Sequence, residues 1–263
     1  GGTIQGDATQ TVRVGLDGTP VTAVPNDGYR FVQWSDGFNN ATRTDIDVTA
    51  DLAVEAEFEV IPGDRWTDIS DAQWLALYGL TADQIDSVAD GRADGSFGPN
   101  LPINRGQFAK MAVDAFGVEK LFPGAASFSD VIPSHLFFGW IEGGFAGGLL
   151  TGYTDDTYRP GNNITRQQAA SILGRYLVAA ELAASGHIQG TQGTYPTLAA
   201  WFAAEGQAVL APFTDAAKLA TVHAPYTAYL IYHQVIMGSN STLNPLANLT
   251  RAQAAAMVYR AAN

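Results

Sequence analysis

The sequence predicts a mainly α-helical fold, three diverged copies of one helical unit behind a small N-terminal all-β or β-grasp-like module. Three observations carry this. A short motif recurs as Trp66-Thr-Asp68, Phe128-Ser-Asp130 and Phe213-Thr-Asp215. An arginine opening an apolar helical run follows each Asp at 37, 36 and 36 residues: Arg105, Arg166 and Arg251. Residues 1–60 show a period of two instead, the pattern of half-buried strands. The expected order is therefore a β-rich unit at 1–60, copies at 64–120 and 121–184, an insert at 185–210, and a third copy at 211–263.

In the first unit, Val54, Ala56, Phe58 and Val60 alternate with Glu55, Glu57 and Glu59, which predicts one strand. Tyr29-Arg-Phe-Val-Gln-Trp34 predicts another, entered through the turn residues Pro25-Asn-Asp-Gly28. Asp17-Gly18 predicts a turn after a further strand at residues 11–14. About sixty residues without a disulfide is near the lower limit for independent stability, so such a unit is expected to stack on a neighbour.

In the repeats, Gly91, Gly152 and Gly238 stand 14, 14 and 13 residues before their arginines. Three matching registers do not arise by chance. The second helix of each copy opens with a capping box: Asn104 with Gln107, Thr165 with Gln168, Thr250 with Gln253. The apolar residue before each cap (Ile103, Ile164, Leu249) is placed for a staple contact within its own helix. The last two arginines are 85 residues apart and the first two 61, which locates the insert. It holds a Gly/Thr/Gln-rich loop at 185–194 and an apolar run at 198–204 expected to be a short helix.

An arginine at the first helical position breaks a local rule. Free N–H groups polarise that end positively, and a cation there is disfavoured by about 0.3–1 kcal/mol. Three parallel violations call for compensation. One form is an internal salt bridge to Asp68, Asp130 or Asp215. The other is an anionic ligand held by a guanidinium fork and a helix N-terminus.

Bulk properties narrow the function. The 263 residues carry a net charge of −12, with −7 in residues 1–60. That field opposes general binding to nucleic acid or anionic lipid. Cysteine is absent, so there is no thiolate metal site or nucleophile. No apolar run reaches membrane-spanning length, so no membrane insertion is expected. The opening Gly-Gly-Thr-Ile-Gln lacks signal-peptide character, and the chain is read as a fragment of something larger. His135, His187, His223 and His233 follow no metal-ligand spacing, and Asp155-Asp156 begins no EF-hand. No phosphate loop or Gly-x-Ser-x-Gly elbow occurs. No catalytic residue, metal or cofactor is expected, and the chain is read as a non-enzyme.

Two resemblances add to this reading. Val21-Thr-Ala-Val-Pro-Asn-Asp-Gly-Tyr-Arg-Phe-Val-Gln-Trp-Ser-Asp36, with Val48-Thr-Ala-Asp and Ala56-Glu-Phe58, resembles the internalin-type B-repeat of bacterial surface proteins. That implies a spacer or stalk with no chemistry of its own. Copy two, with Phe128-Ser-Asp-Val131, Gly148-Leu-Leu-Thr-Gly-Tyr-Thr-Asp-Asp-Thr-Tyr-Arg-Pro160 and Ile164-Thr-Arg-Gln-Gln-Ala169, resembles a surface-layer homology (SLH) motif. Copy one is similar through Asp90-Gly-Arg-Ala-Asp-Gly-Ser-Phe-Gly-Pro99. Copy three keeps Leu249-Thr-Arg-Ala-Gln253 but lacks the Tyr and Asp of the turn, and the family's usual acid after the Arg is absent throughout.

The SLH resemblance implies a pseudo-threefold helical spindle with ligand grooves between motifs. It also implies non-covalent anchoring of an exported protein to an anionic, in well-studied members pyruvylated, secondary cell-wall polysaccharide. Carried over, the glycan-binding residues are Arg105, Arg166 and Arg251, the turn glycines Gly91, Gly152 and Gly238 that admit a sugar to the backbone, the stacking Tyr153, and the motif acids Asp68, Asp130 and Asp215. The expected partners are that polysaccharide, neighbouring surface repeats or S-layer subunits, at the cell surface. The competing classes are a protein-binding adhesin or lattice module, with Tyr195, Trp201 and Phe202 of the insert as its surface, and the non-catalytic tail of a larger secreted enzyme.

Overall fold

A computed structural model describes residues 1–26, 29–60 and 65–263. It divides into two compact units, Gly1–Asp64 and Arg65–Asn263.

Among its described residues the first unit has five short strands and no helix, which selects the all-β form of the expectation. Strands β1 (Gly2–Gln5), β2 (Val21–Pro25) and β4 (Thr42–Arg43) form one antiparallel sheet. Strands β3 (Tyr29–Trp34) and β5 (Ala56–Val60) pair antiparallel, with a register irregularity between Phe31 and Gln33. Its buried centre is Trp34, whose indole N–H donates to the Asn40 carbonyl, with Arg43 held over its ring and paired to Asp36 and Asp45. The strand expected at residues 11–14 does not form. Leu16 bridges Val48 instead, and Gly18 donates to the Asp45 carbonyl, so this segment is fastened by isolated bonds rather than along a ladder. Val54 precedes β5 rather than belonging to it. Asp27 and Gly28 of the expected turn lie outside the described residues.

In the second unit each copy supplies an entering helical element and a second helix. Copy one gives α1 (Asp71–Tyr78), α2 (Ala82–Asp86) and α3 (Arg105–Ala115); copy two gives α4 (Phe138–Ala146) and α5 (Arg166–Ser185). The insert forms a two-stranded hairpin, β6 (Ile188–Gln189) and β7 (Thr194–Tyr195). A helical stretch follows, running from α6 (Leu198–Trp201) through a π-helical turn at Phe202–Gly206 into α7 (Gln207–Leu210). Copy three gives α8 (Ala224–Tyr232) and α9 (Arg251–Ala262). All three predicted capping boxes are present, and Ser70 with Gln73 and Thr81 with Gln84 add two more at α1 and α2. Among the described residues no helix is long and apolar enough to cross a membrane.

The copies close cyclically. Helix α3 packs on α4, α5 on α8, and α9 on α2. At the centre, the backbone N–H of Ile103 donates to the carbonyl of Leu249 at 3.0 Å, Leu249 to Ile164 at 2.8 Å, and Ile164 to Ile103 at 3.1 Å. All three side chains are buried. The apolar residue before each cap therefore joins a ring across the copies, a role the staple expectation missed. The insert's aromatics turn inward as well: Trp201 is fully buried, and Tyr195 and Phe202 are partly covered.

Candidate functional site

Each copy builds its turn from one carboxylate. Asp68 accepts the backbone N–H groups of Phe97 and Gly98 at 2.7 and 2.8 Å, and Asp130 those of Tyr158 and Arg159 at 2.7 Å each. Asp215 accepts those of Leu243 and Asn244 at 2.7 and 2.8 Å. Burial pushes the Asp215 pKa up, but the donated N–H bonds outweigh it and hold the carboxyl below its usual range. Both oxygens of each acid are engaged. The acids tie down turns, and none forms the expected ion pair with a helix-start arginine.

The turn glycines also answer to packing. A Cβ on Gly91 would overlap the Trp66 indole, one on Gly152 the Phe128 ring, and one on Gly238 the Phe213 ring. Their backbones are not left-handed, so the requirement is space. The leading aromatic of each copy occupies that space, where the sequence reading placed a sugar.

The arginines find partners in the next copy. Arg105 donates from Nε to the carbonyl of Tyr158 at 2.8 Å and from a terminal nitrogen to that of Thr151 at 3.4 Å. Arg166 donates to the Met237 carbonyl at 3.4 Å, and Arg251 to that of Asp90. Thr151, Met237 and Asp90 each stand just before a turn glycine. The helix-end N–H groups are used the same way: Arg105 and Gly106 donate to Asn162 and Pro160, Arg166 and Gln167 to Ala247 and Pro245, Arg251 and Ala252 to Leu101 and Pro99. A loop rich in carbonyl oxygens thus meets each positive helix end, and this offsets both the dipole and the guanidinium. The free helix N-terminus assumed for an anion is already occupied.

The three junctions are unequal. Arg105 is only 5% exposed, and its guanidinium lies over the rings of Tyr153 and Tyr158, at 4.8 and 4.6 Å from their centres. Arg159 also lies over Tyr153, at 4.2 Å, so that ring is engaged by two cations. Arg251 lies over Phe97, and its Nε is buried with no acceptor. Arg166 has no aromatic ring contact among the described residues. It borders a small recess lined by Leu219, Thr227, Ile236 and Pro245. Burial lowers its pKa, with Tyr78 and Asp215 opposing. The sequence reading missed Tyr158, Thr227 and Ile236; the only available signal was Tyr158 matching Phe97 and Leu243 at the position bonded by the motif Asp.

The chain is similar to surface proteins. A model of the divergent InlB B-repeat domain matches residues 1–62, and the S-layer homology domain matches residues 87–109, 127–170 and 212–255. The Surface-layer 125 kDa protein of Lysinibacillus sphaericus is 26% identical over 81% of this chain and 16% of its own length. Cell surface glycoprotein 1 of Acetivibrio thermocellus is 32% identical over 33% of this chain and 4% of its own. Outer membrane protein SlpA of Thermus thermophilus is 36% identical over 34% of this chain and 9% of its own. The chain thus spans a small part of the curated relatives it matches.

These findings define a bacterial surface-protein segment with an extracellular, cell-surface location. In particular, it carries one divergent B-repeat followed by three S-layer homology motifs, and they support a cell-surface anchoring or S-layer role.

Proposed function

We propose that this chain anchors an exported protein to the bacterial cell wall non-covalently, by binding an anionic secondary cell-wall polysaccharide at the junctions between its S-layer homology motifs. In this reading the hydrogen-bonded ring of Ile103, Ile164 and Leu249 marks the axis of a pseudo-threefold spindle, and the arginines are arrayed around it. The reading assigns no reaction, cofactor or metal. The B-repeat acts as a spacer that meets neighbouring surface repeats or S-layer subunits.

One observation carries the proposal. Arg166 is a partly buried cation beside an apolar recess, with a single long hydrogen bond and no carboxylate bonded to it among the described residues. A desolvated, weakly satisfied guanidinium favours an anion from outside, and the small recess beside it offers an apolar edge for that anion to rest against rather than a cavity to enclose it. Arg105 is the least available of the three because carbonyls and rings already enclose it. A polymer engaging more than one junction is retained by effective concentration rather than by one tight contact.

Co-sedimentation with purified cell walls tests this, before and after chemical extraction of the non-peptidoglycan polymer. Binding lost on extraction supports glycan anchoring. Binding that survives extraction transfers the role to peptidoglycan or protein contacts.

A further inference from the structure

Helix α8 has a histidine at each end, and the two face different surroundings. His223 is the N-terminal cap of α8, and its carbonyl accepts both the backbone N–H and the hydroxyl of Thr227. Its Nδ1 lies 2.6 Å from Oγ of Ser171, a buried residue of α5. One helical turn before Ser171, Gln167 accepts the N–H of Ala220 at 3.1 Å. The start of copy three is thus pinned to α5 at two neighbouring points. Gln167 and Thr227 both line the recess beside Arg166.

We propose that His223 is an acid-sensitive fastener of the α5–α8 junction, so that protonating its imidazole loosens the wall of the Arg166 recess. The link to ligand release rests on the anchoring reading above; the fastener itself does not. The charged group facing His223 from α5 is Arg175, which lies over Tyr226 of α8 at 5.5 Å. The segment before α8 meets it through the Ala220 carbonyl, which accepts the His223 N–H. An imidazolium there would stand beside a guanidinium, at the positive end of a helix, in partial burial. Each of the three disfavours the charged form. Burial, reinforced by Arg175, accordingly lowers the His223 pKa. His233, at the other end of α8, is also lowered by burial, but Glu181 opposes the shift and a helix C-terminus favours a cation.

The pH dependence follows from this sign. Above the ordinary imidazole value of 6.5 both folded and unfolded forms are neutral and the fastener is intact. As pH falls below that value the unfolded form takes the proton first. The folded-to-open ratio then drops by up to about tenfold per pH unit until the folded imidazole also titrates.

The test follows the imidazole resonances of the full chain by NMR from about pH 8 to about pH 4.5. Assignment uses His223→Gln and His233→Gln. The expected result is that His223 titrates below 6.5. The wild type should also lose thermal stability in acid, and His223→Gln, which accepts no proton, should lose less. A His223 that titrates at or above the ordinary value, or a variant as acid-sensitive as the wild type, overturns the proposal. Should His223→Gln not fold, assignment by elimination with variants of the other three histidines lets the wild-type titration decide alone. Wall binding compared at about pH 7.5 and about pH 5.5 reads the functional link. Weaker binding in acid supports it, and equal binding removes it. Absence of binding at both pH values counts against the anchoring reading, while the titration still decides the fastener.

Discussion

The ring of Phe128 fills the space that a side chain on Gly152 would occupy, and Trp66 with Gly91 and Phe213 with Gly238 repeat that relationship. An aromatic at the head of each copy is thereby locked against the turn that leads to its second helix. Gly152→Ala is expected to destabilise the helical unit by about 1–3 kcal/mol, the usual cost of overpacking. Denaturant unfolding measures it. Combining it with Phe128→Leu should cost less than the sum of the two, because the smaller side chain vacates the contested volume.

Asp130→Ala leaves the N–H groups of Tyr158 and Arg159 without their acceptor. The expected cost is about 1–3 kcal/mol. Hydrogen exchange should accelerate at those two amides before it does elsewhere in copy two.

Arg105→Ala and Arg166→Ala should separate stability from binding. Arg105 is buried against two rings and two carbonyls, so its loss is expected to cost about 1.5–3 kcal/mol. Arg166 makes one long bond, and its removal should cost less than about 1 kcal/mol. Equal melting temperatures for the two variants would contradict the inequality of the junctions.

Glu205 fastens the insert by accepting from the N–H and hydroxyl of Thr191, the N–H of Gln192 and the Tyr195 hydroxyl. Desolvation opposes this, but the donors prevail and bring its pKa from 4.5 down to about 2. Its stabilising contribution is therefore complete above 4.5 and lost as pH falls toward about 2. Glu205→Gln should flatten the acid limb of the melting-temperature profile and leave its neutral part lower than in the wild type.

Features confined to a short stretch of chain were legible in the sequence. The capping boxes need only residues three apart, and β3 declares itself in Tyr29–Trp34. The repeat register was legible because one Asp must reach the same turn in every copy. What compensates the helix-start arginines was not. Their carbonyl partners lie 46, 71 and 161 residues away, in a different copy each time. No local pattern encodes that cyclic closure, so the choice between an Asp partner and an external anion omitted the third answer. The packing role of the glycines was not legible for a related reason. A sequence records a missing side chain but not the group that fills its place, which here is the aromatic of the same copy. Tyr153 looked like a free stacking surface because Arg105 and Arg159, the cations over its ring, lie 48 and 6 positions away in the chain.

The most direct measurement is equilibrium binding of the folded chain to purified cell walls for the wild type, Arg166→Ala, Arg251→Ala and the triple arginine variant. The account predicts the largest single loss for Arg166→Ala, a smaller one for Arg251→Ala, and near-complete loss when all three are removed. Equal binding by all four folded proteins would contradict it.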